Sequence, residues 1–180
     1  MLRRALLFSL AATPVLAQSR RQLSLDQLFE ALKVAPDDAS AHAVEAQIWQ
    51  AWMQAGSPAV QLLMRRGLRH LETRSLADAV EDFDAVIALA PDMAEGWNKR
   101  ATAYYLLGDY DSAVKDIQET LAREPRHFGA LAGLSHIQEA RGDHVGALRA
   151  YERALAINPR MAGSEARLKE LRRRALGEES

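Results

Sequence analysis

The sequence predicts an all-α fold, an α-α superhelix of stacked helix hairpins, and three observations predict it. One pattern recurs three times at a fixed step of 34 residues, aligning Pro91, Pro125 and Pro159, then Ala79, Ala113 and Ala147, then Phe83, Ile117 and Tyr151. Two further columns keep the same register: Leu63, Trp97 and Leu131, and the small residues Gly67, Ala101 and Ser135. Within the clearest copy, residues 94–125, apolar positions return every three to four residues on both sides of Gly108, which is the spacing of two amphipathic helices folded back on each other. Several columns in register over three copies mark an array of repeats.

Each column has a packing reason. In the first helix of the second copy Trp97, Ala101, Tyr104 and Tyr105 share an inner stripe, and in the second helix Ala113, Ile117, Thr120 and Leu121 do. Two helix axes approach closely only where side chains are small, so Gly67, Ala101 and Ser135 are expected to face Ala79, Ala113 and Ala147. Gly108 and Gly142 supply the turn, since glycine reaches positive φ after a helix without steric cost. The three prolines end the second helices, because proline lacks an amide donor and disfavours helix in the residue before it.

At these residues the chain resembles the tetratricopeptide repeat family, whose pattern runs from a large apolar residue through a small one, a tyrosine, a turn glycine, an alanine and an aromatic to a proline. Trp97, Ala101, Tyr104, Gly108, Ala113, Ile117 and Pro125 stand at those places. The third copy matches with Leu131, Ser135, Gly142, Ala147, Tyr151, Ala154 and Pro159; the first has His70 for the tyrosine and Arg74 for the turn glycine. The resemblance implies a solenoid of three repeats over 58–159, at about 60–91, 94–125 and 128–159.

Around the repeats the chain divides further. Residues 1–17 read as a secretory signal peptide: Arg3 and Arg4, an apolar run from Ala5 to Leu16, and Val15 and Ala17 at the small positions before a cut at Gln18. The run is short of the roughly 20 residues that span a bilayer, so no stable membrane insertion is expected after cleavage, and an exported, periplasmic protein is. Loss of the two arginines takes the formal charge from −1 to about −3, which leaves no basic face for nucleic acid. Residues 18–57 read as a degenerate helix hairpin capping the N-terminal end of the stack, with Trp49 and Trp52 as cap aromatics or, alternatively, as part of a ligand pocket. Residues 160–180 form a C-terminal capping helix and tail, with Arg172, Arg173 and Arg174 on a solvated face.

Candidate chemistry is sparse. The chain has no cysteine, hence no disulfide and no thiolate. His42, His70, His127, His136 and His144 lack metal-ligand spacing, and no cofactor or metal is expected. Asp78, Glu81, Asp82 and Asp84 crowd one helix start and read as mostly outward-pointing, dipole-favoured carboxylates. Gly129 and Gly133 do not make a phosphate loop. No enzyme is expected; a lytic-enzyme helper with hidden activity is the alternative of a different class.

Binding fits better, because stacked helix pairs leave a concave side suited to an extended peptide or a partner helix. The family register implies a peptide-binding groove made of Gln61, Met64, Leu68 and Leu71, then Glu95, Asn98, Thr102 and Tyr105, then Gly129, Ala132, His136 and Glu139. Relatives that clamp the C-terminal carboxylate of heat-shock chaperones use lysine, asparagine and arginine, whereas the corresponding places here hold Met64, Leu68, Lys99, Gly129 and Gly133. The expectation is therefore a protein-protein interaction adaptor or scaffold of the bacterial cell envelope, with another envelope protein or peptide as partner. An accessory subunit of an envelope assembly or maturation machine is the second binding reading, and self-association through an end cap the third.

Overall fold

The computed structural model describes residues 23–177, so the expected signal peptide lies outside the described residues. Among the described residues the chain forms nine helices and no strand: α1 (Leu25–Lys33), α2 (Asp38–Met53), α3 (Pro58–Glu72), α4 (Leu76–Leu89), α5 (Ala94–Leu107), α6 (Tyr110–Arg123), α7 (Phe128–Ala140), α8 (His144–Ile157) and α9 (Ser164–Ala175). Local chemistry sets their ends. Ser24 and Gln27 form a reciprocal capping box at α1, Asp37, Asp109 and Asp143 accept the third amide of α2, α6 and α8, and Ser57 with Pro58 opens α3. The three hairpin turns each place one residue in the left-handed region: Arg74, Gly108 and Gly142. Asp109 and Asp143 then donate their amides to the carbonyls of Tyr104 and Gln138, and Ser75 does the same to His70.

The hairpins α3–α4, α5–α6 and α7–α8 stack side by side. Gly67 lies so close to α4 that a Cβ there would come within 2.6 Å of the Phe83 ring, while Ala79, Ala113 and Ala147 are fully buried on the facing helices. A rung of charge also ties first helix to second: Arg66 pairs with Asp82, and Arg100 grips Asp116 through Nε at 2.8 Å and Nη2 at 2.7 Å. The reading of Asp82 as an outward carboxylate is thus corrected. Its side chain is buried under Arg66 and His70, because the helix face it shares with Phe83 turns toward α3. In the third hairpin, where Leu134 and Ala150 occupy the same register, the rung is apolar.

The N-terminal hairpin does not close the α3 end of the stack, as the sequence reading expects. Met53 and Ala55 touch the core around Val60 and Met64. The main core of α1 and α2, comprising Leu28, Phe29, Leu32, Ile48 and Trp52, instead packs on Phe128, Leu131 and Ala154, far along the chain. The reason lies in what the later repeats present. The loops before α7 and α9 offer Arg126, Asn158 and Arg160, which bond Asp26 at 2.7 Å, Glu45 at 2.9 Å and Asp38 at 2.7 Å, and α7 begins with an aromatic and a glycine that accept large rings. At the other end α9 lays Leu171 against Ala147 and Tyr151 of α8.

Candidate functional site

The inner face between α5 and α7 encloses a cleft of about 440 Å³. Ala101, Ile117 and Ile137 make an apolar floor; Asn98, Lys99, Thr102 and Tyr105 line the α5 wall, and Ala132, Gly133 and His136 the α7 wall. Met161 closes one side and Trp49, reaching over from α2, another. Gly129 is where the indole lands: a Cβ there would sit 2.4 Å from the Trp49 ring. Lys99 Nζ stands 5.3 Å from the centre of the same ring.

Of the residues the sequence assigns to the groove, Asn98, Thr102, Tyr105, Ala132 and His136 meet in this cleft together with Gly129. The first-repeat residues do not join them. Gln61 donates to the Gln54 carbonyl, and Leu68 and Leu71 pack on the α3–α4 core. Met64 is corrected to a core residue, sealed at 1% exposure among Val60, Phe83 and Val86, because its face of α3 meets α4 rather than the trough. Glu139 is taken up by Arg167 at 2.6 Å and Arg174 at 2.9 Å from α9. His136 stands beside them, its pKa lowered by burial first and by the Arg167 charge second, against the opposing pull of Glu139.

Beneath the cleft lies a polar set that the groove reading does not separate from its lining. Glu95 is buried and does not reach the trough. Ala130 donates its amide to His127 Nδ1, which fixes the neutral tautomer and leaves Nε2–H to donate to Glu95 Oε2 at 2.8 Å. Asn98 donates to the same oxygen at 3.0 Å, and Lys99 Nζ lies 2.9 Å from Oε1, an ion pair without hydrogen-bond alignment. Burial opposes the charge on Glu95, yet the His127 hydrogen bond and the Lys99 charge outweigh it and hold the carboxyl below its usual range. A carboxylate–histidine pair is a familiar catalytic element, but both side chains here are fully buried, and a base needs to reach the proton it takes. The pair therefore supports the site. Its signal in the sequence is a polar residue in an apolar column: Met93, His127 and Met161 are 34 residues apart.

Comparison with known proteins agrees with this fold. The family model for the tetratricopeptide repeat matches residues 64–117 and 98–162. This chain belongs to the tetratricopeptide repeat family. A repeat-containing protein of Rhizobium etli is 39% identical over 143 residues, 79% of this chain and 70% of that protein. Small glutamine-rich tetratricopeptide repeat-containing protein 2 of Mycosarcoma maydis is 25% identical over 54% of this chain, which spans only 28% of that relative's length. Among solved structures, the Sgt2 repeat domain of Aspergillus fumigatus superposes with a TM-score of 0.64 at 20% identity, covering 69% of this chain and 83% of that one. The TPR2B domain of yeast Sti1, in its pHsp70 complex, does so with a TM-score of 0.62 at 20% identity, covering 68% and 100%. The tetratricopeptide fold is a protein-interaction module whose superhelix offers an extended concave surface.

Proposed function

We propose that this protein is a non-enzymatic adaptor of the bacterial cell envelope that holds a segment of another polypeptide in the cleft between α5 and α7. The observation that carries this reading is the cleft itself: an apolar floor of Ala101, Ile117 and Ile137 under a rim of a few polar groups, the composition that receives a side chain and fixes its orientation. Domains of the same fold are solved in complexes, the TPR2B domain of Sti1 with pHsp70 and the first repeat domain of Spaghetti (RPAP3) with the HSP90 peptide SRMEEVD. A chaperone-type carboxylate clamp is not the means here. Of the places that would form one, Met64 is buried, Gly129 lies under Trp49 and Lys99 is paired with Glu95. The partner is held by apolar side chains instead. Export of the protein rests on the leader-like residues 1–17.

Photocrosslinking in intact cells from a probe placed at Thr102, followed by mass spectrometry, tests the reading. One envelope protein should be captured by the wild type and lost with Tyr105→Ala and Ala132→Glu, both of which alter the cleft without touching the buried Glu95–His127 pair. Cell fractionation and N-terminal sequencing of the mature chain test the location, the expected first residue being Gln18. Capture that survives both substitutions overturns the assignment of the cleft.

A further inference from the structure

The α1–α2 hairpin is joined to repeats two and three by side-chain packing and side-chain hydrogen bonds, one of them from Arg160 to the Pro36 carbonyl, with no backbone-to-backbone hydrogen bond between them among the described residues. Its rim contacts are exposed: the Asp26 and Asp38 side chains that meet Arg126 and Arg160 are 83% and 74% accessible, and pairs that open to water hold little. At its centre Trp52 lies flat on His127, ring centres 4.0 Å apart and 8° from parallel, yet its buried indole N–H has no acceptor, an unmade bond that weakens the joint. The tether to α3 is short and solvent-facing, with Gly56 at φ +90°.

The polar half of the joint is held from within repeats two and three. His127 is locked by Ala130 and Glu95 and Arg126 is held by Glu124 at 3.0 Å, while Phe128 and Leu131, carried on α7, are covered by the hairpin itself. Vacated, these groups would present a flat imidazole, a gap over Gly129, the Asn158 amide that holds Glu45, and the guanidiniums of Arg126 and Arg160 that meet Asp26 and Asp38. Such a surface reads two aromatic rings three residues apart on one helix face, as Trp49 and Trp52 are, with a carboxylate one turn before them, as Glu45 is.

We infer that α2 is the resident of a helix-binding seat on repeats two and three, and that an external helix with two aromatic side chains three residues apart and carboxylates on its earlier turns exchanges with it. The inference rests on the reading that this stack receives a polypeptide, and it names that polypeptide's chemistry. Displacing α2 withdraws the Trp49 wall and lengthens the cleft toward Gly129, so the resident hairpin restrains binding until the partner replaces it.

The test uses the full chain and, as probe, a fluorescein-labelled synthetic peptide of residues 25–55. Trp52→Ala loosens the resident but leaves the seat intact, and it should bind the peptide at least tenfold more tightly than wild type. Adding Gly129→Ala should cut that gain about fivefold, since the new methyl crowds the ground under Trp49. If Trp52→Ala loses its helical circular dichroism, the double variant Asp26→Lys/Asp38→Lys decides, because it changes exposed carboxylates only; a gain of about threefold is expected. Equal binding by wild type and the folded variants overturns the exchange. Concentration-dependent dimers of the wild type that Gly129→Ala removes would overturn the external occupant in favour of a second copy. Exchange without crosslinked capture at the cleft overturns the adaptor reading alone, and capture through Tyr105 without exchange overturns this one alone.

Discussion

Two glycines in this molecule accept an aromatic ring, and the two joints they make differ in what surrounds the ring. Gly67 on α3 receives Phe83 from the adjoining α4, and everything around it is core: Phe83 is fully buried among Val60, Met64 and Val86. Gly129 on α7 receives Trp49 from α2, eighty residues away in the chain, and this ring borders an open cleft on one side and a buried charge on the other. The steric device is the same, a missing Cβ that lets a ring lie on backbone. Between two helices of one repeat it fastens the fold. Between a hairpin and a groove it forms a contact that has somewhere to go when pushed.

The largest expected effect tests the floor under the second joint. Glu95→Ala leaves His127 Nε2–H and Asn98 without an acceptor and Lys99 without its counter-charge. Removing one member of a buried pair costs about 3–5 kcal/mol, and since Lys99 can turn outward we expect about 3 kcal/mol in urea denaturation. The pH dependence has a definite sign. Because the folded carboxyl is held below the ordinary glutamate value of 4.5, the unfolded chain takes up the proton first, so the stability Glu95 contributes is present above pH 4.5 and is lost as pH falls through its folded value. The Glu95→Gln variant should show a shallower acid limb than wild type; superimposable limbs would mean the carboxylate is not the group that titrates.

Next in size is Gly67→Ala. With Phe83 walled in, the added methyl has to displace either a ring or a helix, at about 2–3 kcal/mol. A smaller loss than that of Gly129→Ala would reverse the contrast between the two joints. For Gly129→Ala we expect about 1 kcal/mol, because Trp49 can lift away from α7 into the cleft or into solvent. The accompanying red shift of tryptophan emission, absent from Gly67→Ala, is the sharper readout.

The contrast also explains what could be read from the chain. The stack was legible because each of its contacts is used three times, so that Gly67, Ala101 and Ser135 announce themselves as a column. The Arg66–Asp82 and Arg100–Asp116 rungs keep the same 34-residue step but occur only twice, and the crowd of neighbouring carboxylates hid Asp82 as an inward residue. The Trp49–Gly129 and Trp52–His127 contacts occur once. No period marks them, and a hairpin next to α3 in sequence is naturally expected next to α3 in space. In the first repeat the position 34 residues before Asn98 is Met64, an apolar side chain buried in the α3–α4 core, and spacing alone does not tell such a core position from a groove position.

The smallest effect concerns the turn that holds Gly67 and Phe83 together. Arg74 occupies the left-handed position, φ 61°, that Gly108 and Gly142 fill in the other two hairpins, and a side chain there costs roughly 1–2 kcal/mol against the following carbonyl. Glycine removes that strain but returns up to about 1 kcal/mol by freeing the unfolded chain. The net expectation for Arg74→Gly is a gain of about 0.5 kcal/mol, near 1–2 °C in melting temperature for a chain of this size. The gain should appear in the unfolding of α3–α4 and leave the tryptophan emission of the α2–α7 joint unchanged, since Arg74 lies outside every contact that joint uses. A change in emission with Arg74→Gly would show that the two glycine-and-ring joints are coupled through α3, and that the hairpin's seat is not independent of the stack's first turn.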